Sequence, residues 1–243
     1  MSSGSQVPTG LLLLFDVDGT LVAGATEAHS AALHRALQEV HGVDARRLEH
    51  SIDPAGRTDG EIARLLLLVA GVSASRIDER AAEVREACTR IYAELCPPSL
   101  ADKVLPGIVA ILDWLSELEA VRLSLVTGNY EPVARLKLRR AGIGHYFASG
   151  QGAFGSDSED RAALPPLARR RAGHDGVPFP RAQTLVIGDT PRDIACARAD
   201  ELRCFAVATG PCGPDVLSDA DGVAADASQL RPLLAEALAA PAA

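Results

Sequence analysis

The sequence has no apolar run long enough to cross a membrane. The longest, Leu11–Phe15 and Leu65–Ala70, fall far short of the ~20 residues a spanning helix needs. Positive charge is scarce: Lys+Arg is 24 against 32 Asp+Glu, a net charge of -8. Lysine occurs only at Lys103 and Lys137. This balance argues against duplex nucleic acid, which needs clustered cations, and against an anionic membrane surface. A small anionic ligand stays open, provided a metal ion supplies local positive charge. Cys88, Cys96, Cys196, Cys204 and Cys212 show no C-x-x-C spacing and no finger-like histidine partner, so reduced thiols in a cytoplasmic protein are expected. His29, His34, His41, His50, His145 and His174 form no cluster with metal spacing, and read as surface or satisfied helix residues. Met1–Gly10 carries no Lys or Arg and reads as a loose tail rather than a signal peptide.

What is present is ordinary for a folded protein. With 243 residues, 47% hydrophobic and 23% charged, the chain can bury a substantial core. Short apolar strands are expected at Leu11–Phe15, Arg122–Val126, Thr184–Ile187 and Arg203–Val207, with a weaker one near Phe147–Gly150. Helices are expected at Gly107–Glu119, Glu131–Ala141, Arg161–Ala172, Pro191–Ala199 and Ser228–Ala239, with Pro191 in a first turn that tolerates it. This alternation predicts an α/β fold: a doubly wound, Rossmann-like parallel sheet. A purely helical stretch, Glu27–His41, Asp59–Ala70 and Ser75–Leu95, interrupts it with periods of three to four. Residues 1–24 and 101–243 therefore read as the core domain, and 25–100 as a helical insert after the first strand.

Three clusters stand at expected strand ends, where open α/β sheets bind ligands. The first is Phe15-Asp16-Val17-Asp18-Gly19-Thr20. Two carboxylates one residue apart, on a chain turning at Gly19, can share one crevice, although a plain turn gives the same pattern. The second is Thr127-Gly128-Asn129, a hydroxyl and two amides that form either an anion nest or a turn. The third is Gly188-Asp189-Thr190-Pro191-Arg192-Asp193, where the carboxylates suit either hard-metal ligation or helix capping.

In this order the clusters resemble the haloacid dehalogenase-like hydrolase superfamily, especially its phosphatases. The resemblance implies that Asp16 is a nucleophile forming an aspartyl-phosphate. Asp18 is then general acid and base, and Thr127, Gly128 and Asn129 hold phosphoryl oxygens. It implies Mg2+ held by Asp16, the Val17 carbonyl and Asp189, with Asp193 ligating or orienting, and Asp18 counted among the metal-site residues. A cation is also implied. Arg161, following the loop Gly155–Asp160, lies at the correct end of the sheet. Lys137 is the rival, but six residues beyond Glu131 is roughly 9 Å along the helix, away from the strand tips.

The insert lies between Thr20 and Thr127. It therefore resembles a helical cap of the first type, hinged near Ala23–Thr26 and Leu100–Leu105, which favours small phosphorylated metabolites. Gly56-Arg57-Thr58-Asp59 resembles the cap loop of phosphoglycolate phosphatase-like members. There Arg57 would meet substrate, or Thr58/Asp59 would simply cap a helix. Asp18 argues against a dehalogenase, which has no alcohol to protonate. A phosphonatase would need a cap lysine, and residues 25–100 contain none. The expectation is a Mg2+-dependent phosphatase, with a sugar-phosphate phosphomutase or a non-catalytic phosphate-binding module as alternatives, working as a monomer or homodimer. Trp114 is expected in the core, and Arg169-Arg170-Arg171 at a solvated helix end.

Overall fold

A computed structural model describes residues 10–239. The tail expected over residues 1–10 lies almost wholly outside them. Six parallel strands form one sheet: β1 (Leu11–Phe15), β2 (Val121–Thr127), β3 (Ala153–Phe154), β4 (Thr184–Gly188), β5 (Arg203–Val207) and β6 (Gly222–Ala224). Their order is β3-β2-β1-β4-β5-β6, so the winding reverses between β1 and β4. That reversal opens a crevice at the carboxyl ends of β1, β2 and β4.

The strands are apolar on both sides because helices cover both faces. Leu11, Leu13 and Phe15 of β1 pack in one cluster with α4 (Ile108–Ser116), α5 (Glu131–Arg140) and α8 (Ala227–Ala239). Leu12 and Leu14 face the other cluster, with α6 (Leu164–Ala172) and α7 (Pro191–Ala199). Five adjacent buried residues thus serve two cores. Pro191 opens α7, as expected.

Between β1 and the return to the sheet lie α1 (Glu27–His41), α2 (Asp59–Val69) and α3 (Ala74–Leu95). Leu33, Leu37, Leu66, Val84, Ile91 and Tyr92 form their common interior. Gly42 ends α1 with φ +75°, a left-handed cap. The Thr58 hydroxyl opens α2 by accepting the Glu61 N–H at 3.1 Å. The two connecting segments pair with each other. Ala23 N–H donates to the Lys103 carbonyl at 2.8 Å, and Leu105 N–H to the Leu21 carbonyl at 3.1 Å.

Three expectations need correction. The edge strand is not at Phe147–Gly150 but at Ala153–Phe154. Phe147 instead closes a short 3-10 turn and packs edge-on against Phe15, so its hydrophobicity serves the core without a strand. The strand β6 was not expected, since Gly222–Ala224 is too short to carry a pattern. The arginine run is not solvated throughout: Arg169 is buried and forks onto Asp200 at 2.7 and 3.1 Å. Trp114 is half-buried against the core, with Arg231 over its ring.

Candidate active site

Asp16 follows β1, Thr127 ends β2 and Asp189 follows β4. Three adjacent parallel strands therefore deliver these side chains to one crevice. Carboxylate oxygens of Asp16, Asp189 and Asp193 lie within 4.8 Å of one another, all buried. Burial, then neighbouring carboxylates, push Asp189 up to about 8. Burial likewise raises Asp16 to about 7, against the pull of Arg161. Such acids resist ionising beside one another. A hard divalent cation would relieve that repulsion, so the donor set fits one.

Close backbone approach makes this cluster possible. Gly19 has φ +84°, and a Cβ there would lie 2.1 Å from Asp189 Oδ2. Thr20 Oγ1 donates to Asp189 Oδ1 at 3.1 Å. Asp193 Oδ2 accepts from the Asp189 N–H, the Thr190 N–H and the Thr190 hydroxyl at 3.2, 2.9 and 2.7 Å. Its other oxygen takes the Arg161 guanidinium. Asp193 is thereby held in place from four directions.

Arg161 is buried, with Nη2 3.3 Å from Asp16 Oδ1 and Nη1 donating to the Gly56 carbonyl at 3.0 Å. Its Nε finds no hydrogen-bond partner among the described residues. A buried guanidinium N–H without an acceptor is costly.

Asp18 occupies a separate environment. Lys137 Nζ donates to both of its oxygens, at 2.8 and 2.5 Å, and Asn129 Nδ2 donates to Oδ2 at 3.0 Å. Burial alone would raise Asp18, but the Lys137 ammonium, His29 and these hydrogen bonds overcome it and hold the carboxyl below its ordinary range. Lys137 also contacts the Asn129 amide oxygen at 3.0 Å and His29 Nδ1 at 3.2 Å. His29 Nε2 lies 3.0 Å from Asp59 Oδ2, which accepts the Tyr130 N–H at 2.7 Å. One buried polar chain thus joins the first sheet loop to α1 and α2.

The loop before α2 rests directly on the sheet. Asp59 N–H donates to the Gly128 carbonyl at 2.8 Å, and a Cβ on Gly128 would lie 2.1 Å from the Arg57 carbonyl. Arg57 lines the crevice, but its Nε donates to the Asp53 carbonyl at 2.9 Å and its Nη1 pairs with Glu61. Thr58 and Asp59 cap and fasten the helix start, so the capping alternative is realised.

The sequence profile of the haloacid dehalogenase-like hydrolases matches residues 13–198. The chain belongs to this family. It is 31% identical over 196 residues to the phosphoglycolate phosphatase of Rhodospirillum rubrum, covering 77% of this chain and 75% of that one. It is 28% identical over 207 residues to phosphoglycolate phosphatase 1 of Pseudomonas aeruginosa, covering 82% and 70%. Two solved structures share the fold. A hydrolase from Pseudomonas syringae superposes with TM-score 0.63 at 23% identity, covering 93% of this chain and 98% of that one. CbbY from Rhodobacter sphaeroides, in complex with xylulose-(1,5)-bisphosphate, gives TM-score 0.64 at 19% identity, covering 91% and 96%. The expected class, a phosphoric monoester hydrolase resembling the phosphoglycolate phosphatases, stands. Among the described residues no helix is long and apolar enough to cross a membrane.

Within this family member, several site expectations change. Lys137 does not point away from the strand tips. The count along the helix axis left out that helical side chains tilt toward the N-terminus, and a lysine reaches back a full turn. Arg161 and Lys137 are not rivals either, since both are buried, one on Asp16 and one on Asp18. The Asp18 carboxylate faces Lys137 instead of the acidic triad. The Val17 carbonyl already accepts the Leu21 and Val22 N–H groups at 2.9 and 3.0 Å, which argues against it as a free ligand. His29 and Asp59 were missed as site residues. His29 stands i, i+4 from Leu33 on α1, a spacing that points to burial, but nothing local signals a partner thirty residues away.

Proposed function

We propose that the protein is a metal-dependent phosphatase that hydrolyses a small-molecule phosphomonoester through an aspartyl-phosphate on Asp16. The observation that carries this is the division of charge around two carboxylates one residue apart. Asp16 sits with the acidic triad and Arg161, whereas Asp18 is held apart by Lys137 and Asn129.

Asp16 and Asp189 would hold Mg2+, oriented by Asp193. The ion would supply positive charge against the repulsion between an anionic nucleophile and an anionic ester. Arg161 supplies fixed positive charge beside Asp16. Thr127 Oγ1 and the amides of Gly128 and Asn129 are the candidate neutral donors. An Asp16 oxygen bonds to phosphorus as the bond from phosphorus to the leaving alcohol breaks, and Asp18 delivers a proton to that alcohol. Water then attacks the acyl phosphate, Asp18 takes its proton, and phosphate leaves. Lys137 holds Asp18 as a carboxylate, the form needed for the water step. A phosphoryl dianion arriving at Asp16 opposes Lys137 and favours the protonated form needed first.

Residues 25–100 would act as the cap over this site. The paired segments at Leu21–Ala23 and Lys103–Leu105 support hinges there, and the Asp59 and Gly128 contact supports a closed arrangement. Five unpaired thiols, four of them buried, are in keeping with a cytoplasmic setting. The test is phosphate release from para-nitrophenyl phosphate with and without Mg2+. Turnover by the wild type and none by Asp16→Asn supports the reading. Isomerisation of a sugar phosphate outpacing hydrolysis would favour a phosphomutase instead.

A further inference from the structure

The crevice opens into a cavity of about 740 Å3 between the sheet loops and the helices α1 and α2. Asp16, Asp189 and Arg161 form its floor. Away from them Val22, Leu33, Ile52, Ile62 and Leu66 form an apolar stretch of wall, interrupted by Ser30, His34, His50 and Asp53. A two-carbon phosphoester would leave most of that volume unfilled, and apolar walls gain nothing from water held against them.

Charge narrows the choice further. The arginines lining the cavity are Arg161 and Arg57. Arg161 already faces Asp16 and Asp193, and Arg57 is paired with Glu61. His34 is held below its ordinary range by burial and by Arg46, so it is neutral near pH 7. The Nδ1 of His50 already accepts the Ile52 N–H at 3.2 Å, and His29 is matched with Asp59. No cation in the upper cavity lacks a partner among the described residues. A second anionic group on the substrate would therefore be desolvated without compensation.

Resting on the phosphatase reading above, we infer that the substrate is a phosphomonoester of an uncharged, largely apolar alcohol well above two carbons, not a phosphorylated carboxylic acid or a bisphosphate. The phosphoryl group is bound by the floor, and Leu33, Ile62 and Leu66 receive the body of the alcohol. His34 and His50 in the lining can each exchange a single hydrogen bond with the alcohol. Specificity then rests on apolar fit and on the occupied state of Arg57.

The experiment compares kcat/KM for hexyl phosphate, phosphoglycolate and para-nitrophenyl phosphate with purified full-length protein and Mg2+. Hexyl phosphate should exceed phosphoglycolate by about 10- to 100-fold. Leu33→Ala should lower the hexyl phosphate value about tenfold and leave phosphoglycolate unchanged. Should that variant not fold, Glu61→Gln decides the matter. It releases Arg57, and phosphoglycolate turnover should rise about tenfold while hexyl phosphate stays level. Turnover of para-nitrophenyl phosphate with phosphoglycolate preferred over hexyl phosphate would overturn this inference and leave the phosphatase standing. No turnover of any ester would overturn both.

Discussion

Two aspartates one residue apart experience opposite fields. Asp16 is raised because burial and two other carboxylates outweigh Arg161. Asp18 is lowered because Lys137 outweighs burial. Replacing Lys137 by Met should therefore raise the Asp18 pKa, and the acid limb of the kcat profile should move to higher pH. Lys137 is fully buried, so the change also leaves the Asp18 carboxylate unpaired, at a cost of about 3–5 kcal/mol by chemical denaturation. The stability that Lys137 lends through a depressed carboxylate is present above the unfolded pKa of 3.8. It is lost as pH falls through the lower folded value. An unchanged pH profile in Lys137→Met would mean that Asp18 is not the titrating acid. At Asp16 the expectation is simpler. Asn keeps the shape and removes the nucleophile, so kcat should drop at least about a thousandfold with the fold intact by circular dichroism.

Elements matter here chiefly through where they end. The turn after β2 and the N-terminus of α2 touch through backbone at Gly128 and Arg57–Asp59, and through the Asp59 carboxylate, which accepts the Tyr130 N–H. Gly128→Ala would put a methyl 2.1 Å from the Arg57 carbonyl and lift the loop from the sheet. We expect kcat/KM to fall about tenfold, because a misplacement of about 1 Å suffices for larger losses. The melting temperature should move only a few degrees, since the helices keep their own interior. Loss of the α2 cap is a milder change at the same boundary. Thr58→Ala removes an acceptor for Glu61 N–H and a donor to the Glu159 carbonyl, and should cost about 1 kcal/mol.

For the whole molecule, the acidic triad ties stability to both pH and metal. Asp16 and Asp189 have folded values of about 7 and about 8, against 3.8 unfolded. Between those limits the unfolded chain binds fewer protons than the folded one. The metal-free protein should thus lose stability as pH rises from about 4 to about 8. Mg2+ needs the ionised carboxylates, so its stabilising effect should be larger at pH 8 than at pH 6. Thermal melts at both pH values, with and without Mg2+, measure this directly. An increment independent of pH would place the ion elsewhere.

The order of strands and helices was legible because both faces of the sheet are covered, which makes each strand a continuous apolar run ending at a polar turn. The three acidic and hydroxyl clusters were legible for the same reason: each adjoins such a run, and a parallel sheet brings their ends together. The two-residue strand at Ala153 and the three-residue strand at Gly222 were not, since pairing rather than pattern makes them strands. The partners of the charged groups belong to the tertiary structure alone. Lys137 meets Asp18 across 119 positions, Arg161 meets Asp193 across 32, and His29 meets Asp59 across 30. Local sequence determines which residue types stand at strand ends. Which cation neutralises which carboxylate depends on side-chain direction and on distances that exist only once the chain has closed.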